Sequence, residues 1–161
     1  MTEDLARRKR IRSRPFALVV VLLALLGCTR SGPCVAIVAP DGTTRATVAI
    51  EVANTTEQRE RGLMFRKHLD DDAGMIFVFP DSDSRNFWMH NTEIPLDMLF
   101  ADSSFRVTGI VADAKPETDT LRGVDGPSQF VLEVNGGFCA KHQIKPGDHF
   151  NFQNFFPHAS E

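Results

Sequence analysis

Fifteen residues, Asn86 to Phe100 (NFWMHNTEIPLDMLF), constrain this chain more than any other stretch. Two extended apolar runs flank a polar corner, Asn91-Thr92-Glu93, and Pro95 fixes how the chain leaves it. A proline locks its own φ and drives the residue before it toward extended conformations. The segment therefore reads as a rigid bend between two strands. If Phe87 to His90 is extended, Trp88 and His90 share one face while Phe87 and Met89 share the other. One pair is expected in the core and the other against a cleft or solvent.

The flanking sequence carries the same signature of short runs between turn signals. Val35 to Ile37 and Arg45 to Val52 surround Asp41-Gly42-Thr43, a hairpin signal. In the second run Ala46, Val48, Ile50 and Val52 alternate with Thr47, Ala49 and Glu51, as a half-buried strand requires. Thr55 followed three residues later by Gln58 is a capping box, so a helix opens there. It is expected to carry Leu63 and Met64 to the core and to stop near Arg66 to Leu69. Met75 to Phe79 reads as a strand closed by Pro80. Leu96 to Phe100 and Phe105 to Val111 form a hairpin across Ala101-Asp102-Ser103-Ser104. Asp113 to Ser128 lacks apolar periodicity and reads as a long surface excursion that carries specificity. Phe130 to Val134 is a strand, Phe138 to His142 a short helix, and His149 to Phe155 a last strand. The class is mostly β (α+β), with one clear and one short helix.

The N-terminus predicts export. Arg7, Arg8, Lys9, Arg10, Arg12 and Arg14 precede an apolar run from Phe16 to Leu26, too short to span a bilayer and shaped like a secretory leader. The run ends Leu25-Leu26-Gly27-Cys28, which resembles the lipobox of bacterial lipoproteins. On this reading residues 1–27 are a lipoprotein-type signal peptide, Cys28 is the lipid-modified residue, 28–34 a tether, and 35–156 a single β-rich domain. The leader takes six basic and two acidic side chains out of totals of 18 and 21, leaving 12 and 19 and a net charge of −7. An acidic domain lacks the basic face that phosphates require, so no nucleic acid is expected. The expected partner is a membrane, through acyl chains on Cys28.

Three blocks, Glu60-Arg61-Gly62-Leu63-Met64-Phe65-Arg66, Gly74-Met75-Ile76-Phe77-Val78-Phe79 and Phe87 to Asp97 (FWMHNTEIPLD), stand in a row. With Val131 to Gly137 and Ile144 to Asp148, they resemble the prokaryotic family catalogued as domain of unknown function one-ninety-two. The resemblance covers roughly Arg45 to Phe152 and departs at Gly137, where alanine is common. It implies a small, mostly antiparallel β pseudo-barrel with short helices. It implies no activity.

Candidate chemistry is sparse. Asp97 interrupts an apolar strand, and a buried charge needs partners. Either it accepts backbone N–H bonds from the Asn91 to Glu93 corner or pairs with Arg61 or Arg66, or it serves as a ligand or acid/base group. Trp88, near Phe77, Phe79 and Phe87, is either core or a stacking platform for a sugar or heterocycle. Met64, Met75, Met89, Met98 and His90 lack a fixed soft-metal spacing, and the acidic loops lack calcium-loop offsets, so no metal and no cofactor are expected. Cys139 and His142 form the lone cysteine–histidine neighbourhood, without an orienting acid. Cys34 and Cys139 can bridge or remain two buried thiols, and the spacing does not demand a bridge.

The leading expectation is an uncharacterised, lipid-anchored, extracytoplasmic protein of the bacterial cell envelope. Its groove, built from Trp88, His90, Asn91, Thr92, Asp97, Arg61 and Arg66, binds a ligand or partner. The alternative is an envelope enzyme, hydrolytic in type, that uses Asp97 or Glu133. A structural interaction protein is the third reading.

Overall fold

The structure, a computed structural model, describes residues 32–158. The leader, Cys28 and most of the tether lie outside the described residues. The described residues form nine strands and two short helices, and seven of the strands make a sheet that curls into a half-barrel. The seven main strands are β1 (Cys34–Val38), β2 (Thr44–Ala53), β3 (Ala73–Asp83), β5 (Leu96–Ala101), β6 (Val107–Ala114), β8 (Ser128–Asn135) and β9 (His149–Gln153). Their order across the sheet is β6-β5-β8-β3-β2-β1-β9. Every neighbouring pair is antiparallel except β2 and β3, which run parallel. A second, two-stranded ribbon pairs β4 (Asn86–Phe87) with β7 (Arg122–Gly123).

The edges of the sheet meet at one end. Val107 N–H donates to Asp148 O (2.8 Å), Gly147 N–H to Val107 O (2.8 Å), and Phe150 N–H to Phe105 O (2.9 Å). Buried Asp148 braces this seam, accepting from the Lys145 N–H (3.0 Å) and lying 2.7 Å from Arg45 Nε. The interior cluster draws one or more residues from each of the seven strands, including Val35, Val48, Ile76, Leu132, Leu99, Val107 and Phe150. A second core, with Met75, Phe77, Phe87, Met89, Met98, Phe100 and Val131, lies on the outer face of β3, β5 and β8. Central strands buried on both faces must be apolar almost throughout, which is why β5 and β8 read as continuous runs.

The parallel pair needs a crossover, and α1 (Thr56–Arg61) lies within it. Thr55 and Gln58 form the expected capping box. The helix is shorter than expected and ends at Arg61, not near Leu69. Gly62 (φ 46) stops it, and Phe65 (φ 65) turns the chain again, so Leu63 reaches the second core from a turn. β3 likewise continues past Pro80 to Asp83. Its ladder with β8 shifts between Val78 and Asp83, so Pro80, which lacks an N–H, faces no regular pairing. The bend between two strands is corrected too: its first arm is a strand only at Asn86–Phe87, and residues 88–95 form a loop.

Candidate functional site

The loop after β4 keeps the expected alternation although it is not a strand. Phe87 and Met89 are buried, whereas Trp88 is 48% exposed. His90 stacks on the Trp88 indole (centroids 5.0 Å apart, planes at 29°) and is held by Asp119, 2.7 Å from its Nδ1. Asp119 belongs to the 113–128 excursion, which folds back on the corner. Met89 N–H donates to Thr118 O (2.9 Å), and Glu117 N–H to Thr92 O (3.0 Å).

Between this loop and α1 runs a groove of about 450 Å³, walled by Phe77, Phe79, Phe87, Trp88, Arg59 and Arg85. Phe87 meets Phe77 and Phe79 edge-on at 5.0 and 6.3 Å. The Arg85 and Arg59 guanidiniums sit 4.1 and 5.3 Å from the Phe79 ring centre. Both arginines are tied down: Arg59 Nη1 donates to the carbonyls of Asn54 (2.7 Å) and Val78 (2.9 Å), and Arg85 Nη2 to Asp81 O (2.8 Å). They rigidify the wall as well as charging it.

The groove deepens into a recess of about 30 Å³ that shares Arg59, Glu60, Phe77, Phe87 and Trp88 and adds Arg61, His90, Thr92 and Glu133. Glu133, on β8, is 4% exposed and makes no hydrogen bond or ion pair among the described residues. Its partners across the ladders are Met75 and Met98. Loss of water pushes its carboxyl up to about 8, so it holds its proton at neutral pH.

Of the expected site residues, Trp88, His90, Thr92 and Arg61 converge on this recess. Asn91 does not line it; exposed and at φ 53, it turns the corner, and its carbonyl accepts from Phe65 N–H (2.7 Å). Arg66 forms a bidentate pair with Glu51 (2.6 and 2.5 Å) farther along α1's flank. Asp97 sits on the other face of the sheet. It accepts N–H bonds from Asp113 (2.8 Å), Gly137 (3.0 Å) and Cys139 (2.8 Å), not from the Asn91 to Glu93 corner or an arginine. Those bonds tie β6 and α2 (Phe138–Lys141) to β5.

Cys34 and Cys139 are both buried and are not bridged to each other. Burial first, and the neighbouring Asp97 carboxyl second, push the Cys139 thiol far up, opposite to what a nucleophile needs. Among the described residues no cluster of three or more His, Cys, Asp or Glu side chains is arranged to hold a metal, and no helix is long and apolar enough to cross a membrane. A larger cleft, about 630 Å³, lies at the seam side against Phe105, Phe150, Phe152, Phe155 and Phe156. His149 is its one titratable lining group, so it offers apolar contact without chemistry.

A curled β domain with an aromatic groove above a buried acid thus defines the class. The chain belongs to the family described as DUF192, Uncharacterized ACR, COG1430, whose model matches residues 36–152. Among the solved structures similar to this chain are two from bacteria. One, of a candidate transcription regulator from Sinorhizobium meliloti 1021, is 32% identical with a TM-score of 0.73, covering 76% of this chain and 95% of that one. The other, of a protein of unknown function from Novosphingobium aromaticivorans DSM 12444, is 41% identical with a TM-score of 0.69, covering 73% and 83%. No curated protein matches the chain.

Proposed function

We propose that this is a lipid-anchored, extracytoplasmic ligand-binding module of the bacterial cell envelope, attached through Cys28 and binding at the Trp88 groove. The observation that carries the binding reading is the half-exposed Trp88 beside a groove that leads to unpartnered Glu133. Small-molecule sites are concave, largely apolar and contain a few convergent polar groups, and this groove has that composition. An open groove also supports a binder over a purely structural interaction protein. With 12 basic against 19 acidic side chains beyond the leader, nucleic acid is not among the proposed partners.

Because Trp88 is the only tryptophan, its emission reports directly on the groove. A ligand found by thermal-shift screening of a general small-molecule library is expected to change that emission saturably and to bind Trp88→Ala at least about tenfold more weakly. A ligand that leaves the emission unchanged and binds Trp88→Ala equally well would place the site elsewhere.

One observation favours a second reading, an envelope hydrolase. Protonated Glu133 is in the state a general acid needs at neutral pH, and Arg61 lines the same recess. Asp97, on the other face, has no part in it. Loss of turnover with retained binding in Glu133→Gln would establish this reading.

A further inference from the structure

Glu133 is an unusual floor for a pocket. Burying a carboxyl without a partner is costly, and neither an arginine nor a backbone N–H meets it among the described residues. The recess beside it has room for about 30 Å³, the space of one water-sized group. Whatever enters must therefore be small, must be able to hydrogen-bond a carboxyl, and must be attached to something that fits the wider groove.

The lining charges narrow the choice. From α1 come Arg59, Glu60 and Arg61; from the corner comes His90, held by Asp119; the strand neighbours Met75 and Met98 are uncharged. With Glu133 protonated, two guanidiniums face one charged carboxylate, Glu60, so an ammonium gains no net pairing, and a carboxylate is larger than the one water-sized space of the recess. A neutral group that both donates and accepts matches a carboxylic acid on both counts. A hydroxyl is such a group. Above the recess, His90 covers one face of the indole and leaves nearly half of Trp88 exposed to an aromatic-walled groove of about 450 Å³. That surface suits a ring with an apolar face and a polar rim.

We propose that the groove and recess form a carbohydrate subsite, in which a neutral sugar ring lies against Trp88 and one hydroxyl enters the recess to hydrogen-bond the Glu133 carboxyl. This rests on the reading of the groove as a ligand site. Arg59 and Arg85, bonded to backbone carbonyls, act as positioning residues that hold the Phe79 side of the wall.

The test is a titration of Trp88 emission, paired with calorimetry, using glucose, galactose, N-acetylglucosamine and its β-1,4 dimer, with glucosamine and glucuronate as charged counterparts. At least one neutral sugar is expected to bind saturably, and the charged forms about tenfold or more less tightly. Glu133→Gln, which keeps a donor and an acceptor, is expected within about threefold of the native affinity, and Glu133→Leu about tenfold weaker. In the native protein the affinity is expected to hold below about pH 8 and to fall above it, as the carboxyl loses its proton. Glu133→Gln should show no such fall, which separates Glu133 from His90 as the source. Tighter binding of glucosamine or glucuronate, or native affinity in Glu133→Leu, overturns the carbohydrate assignment while the Trp88 response upholds the groove. Absence of emission change and heat with every sugar also overturns it, and the library screen above then decides separately whether the groove binds anything.

Discussion

Two buried carboxyls one strand apart show how much a single residue's surroundings decide. Asp97 receives three backbone N–H groups, whereas Glu133 receives none among the described residues. Asp97→Ala leaves those donors without their acceptor, so we expect a loss of about 3 kcal/mol or more in denaturant unfolding, with ligand affinity at the groove unchanged in the folded fraction. Glu133 should behave in the opposite way toward pH. Its folded pKa, about 8, is above the unfolded value of 4.5, so its stabilising contribution is full below about pH 4.5 and is lost as pH rises toward 8. Urea unfolding at intervals from pH 5 to 9 should show native stability falling by a few kcal/mol, and Glu133→Gln should lack that fall. Both residues are conspicuous in the sequence as lone charges in apolar runs. Their separation is not, because it depends on register: Asp97 lies opposite Val134 and Met98 opposite Glu133, which puts the two carboxyls on opposite faces.

At the scale of elements, alternation and capping chemistry were readable where local interactions decide the outcome. Ala46, Val48 and Ile50 point into the core from β2, and Thr55 with Gln58 opens α1 as their spacing requires. The end of α1 falls before the one the sequence predicts because Leu63 and Met64 continue a helical apolar pattern past the residue that stops the helix, Gly62. Gly62 is needed there: at φ 46 a side chain is strained, and a Cβ would lie 3.2 Å from the Phe77 ring. Gly62→Ala is expected to cost about 1–3 kcal/mol in urea unfolding and to alter Trp88 emission, since α1 and Phe77 wall the groove. Thr55→Ala, which removes only the cap, should cost about 1 kcal/mol. The groove's other members were less readable. Arg59 and Arg85 come from either side of β3 and meet only over Phe79, a contact that no short sequence window contains.

For the whole molecule, the proposed anchor makes a direct prediction. Intact mass of the protein purified from bacterial membranes should show an N-terminal, acylated Cys28, and Cys28→Ser should shift it from the detergent phase to the aqueous phase on phase separation. An unacylated chain beginning elsewhere would remove the anchor from the proposal. The curled sheet itself was implied by the family resemblance, the residue pattern alone indicating only a mostly β chain, and the strand order by neither, because crossovers leave no local trace. That order has a consequence for the timing of folding. Cys34 and Gln153 face each other across β1 and β9 although they are 119 positions apart. A chain emerging from its N-terminal end can form the β1–β2 hairpin early, yet it must carry the free edge of β1, with open N–H and C=O groups, until His149–Gln153 appear. The nascent domain is therefore most exposed to misassociation just before β9 appears, and a chain ending before His149 would keep that open edge permanently.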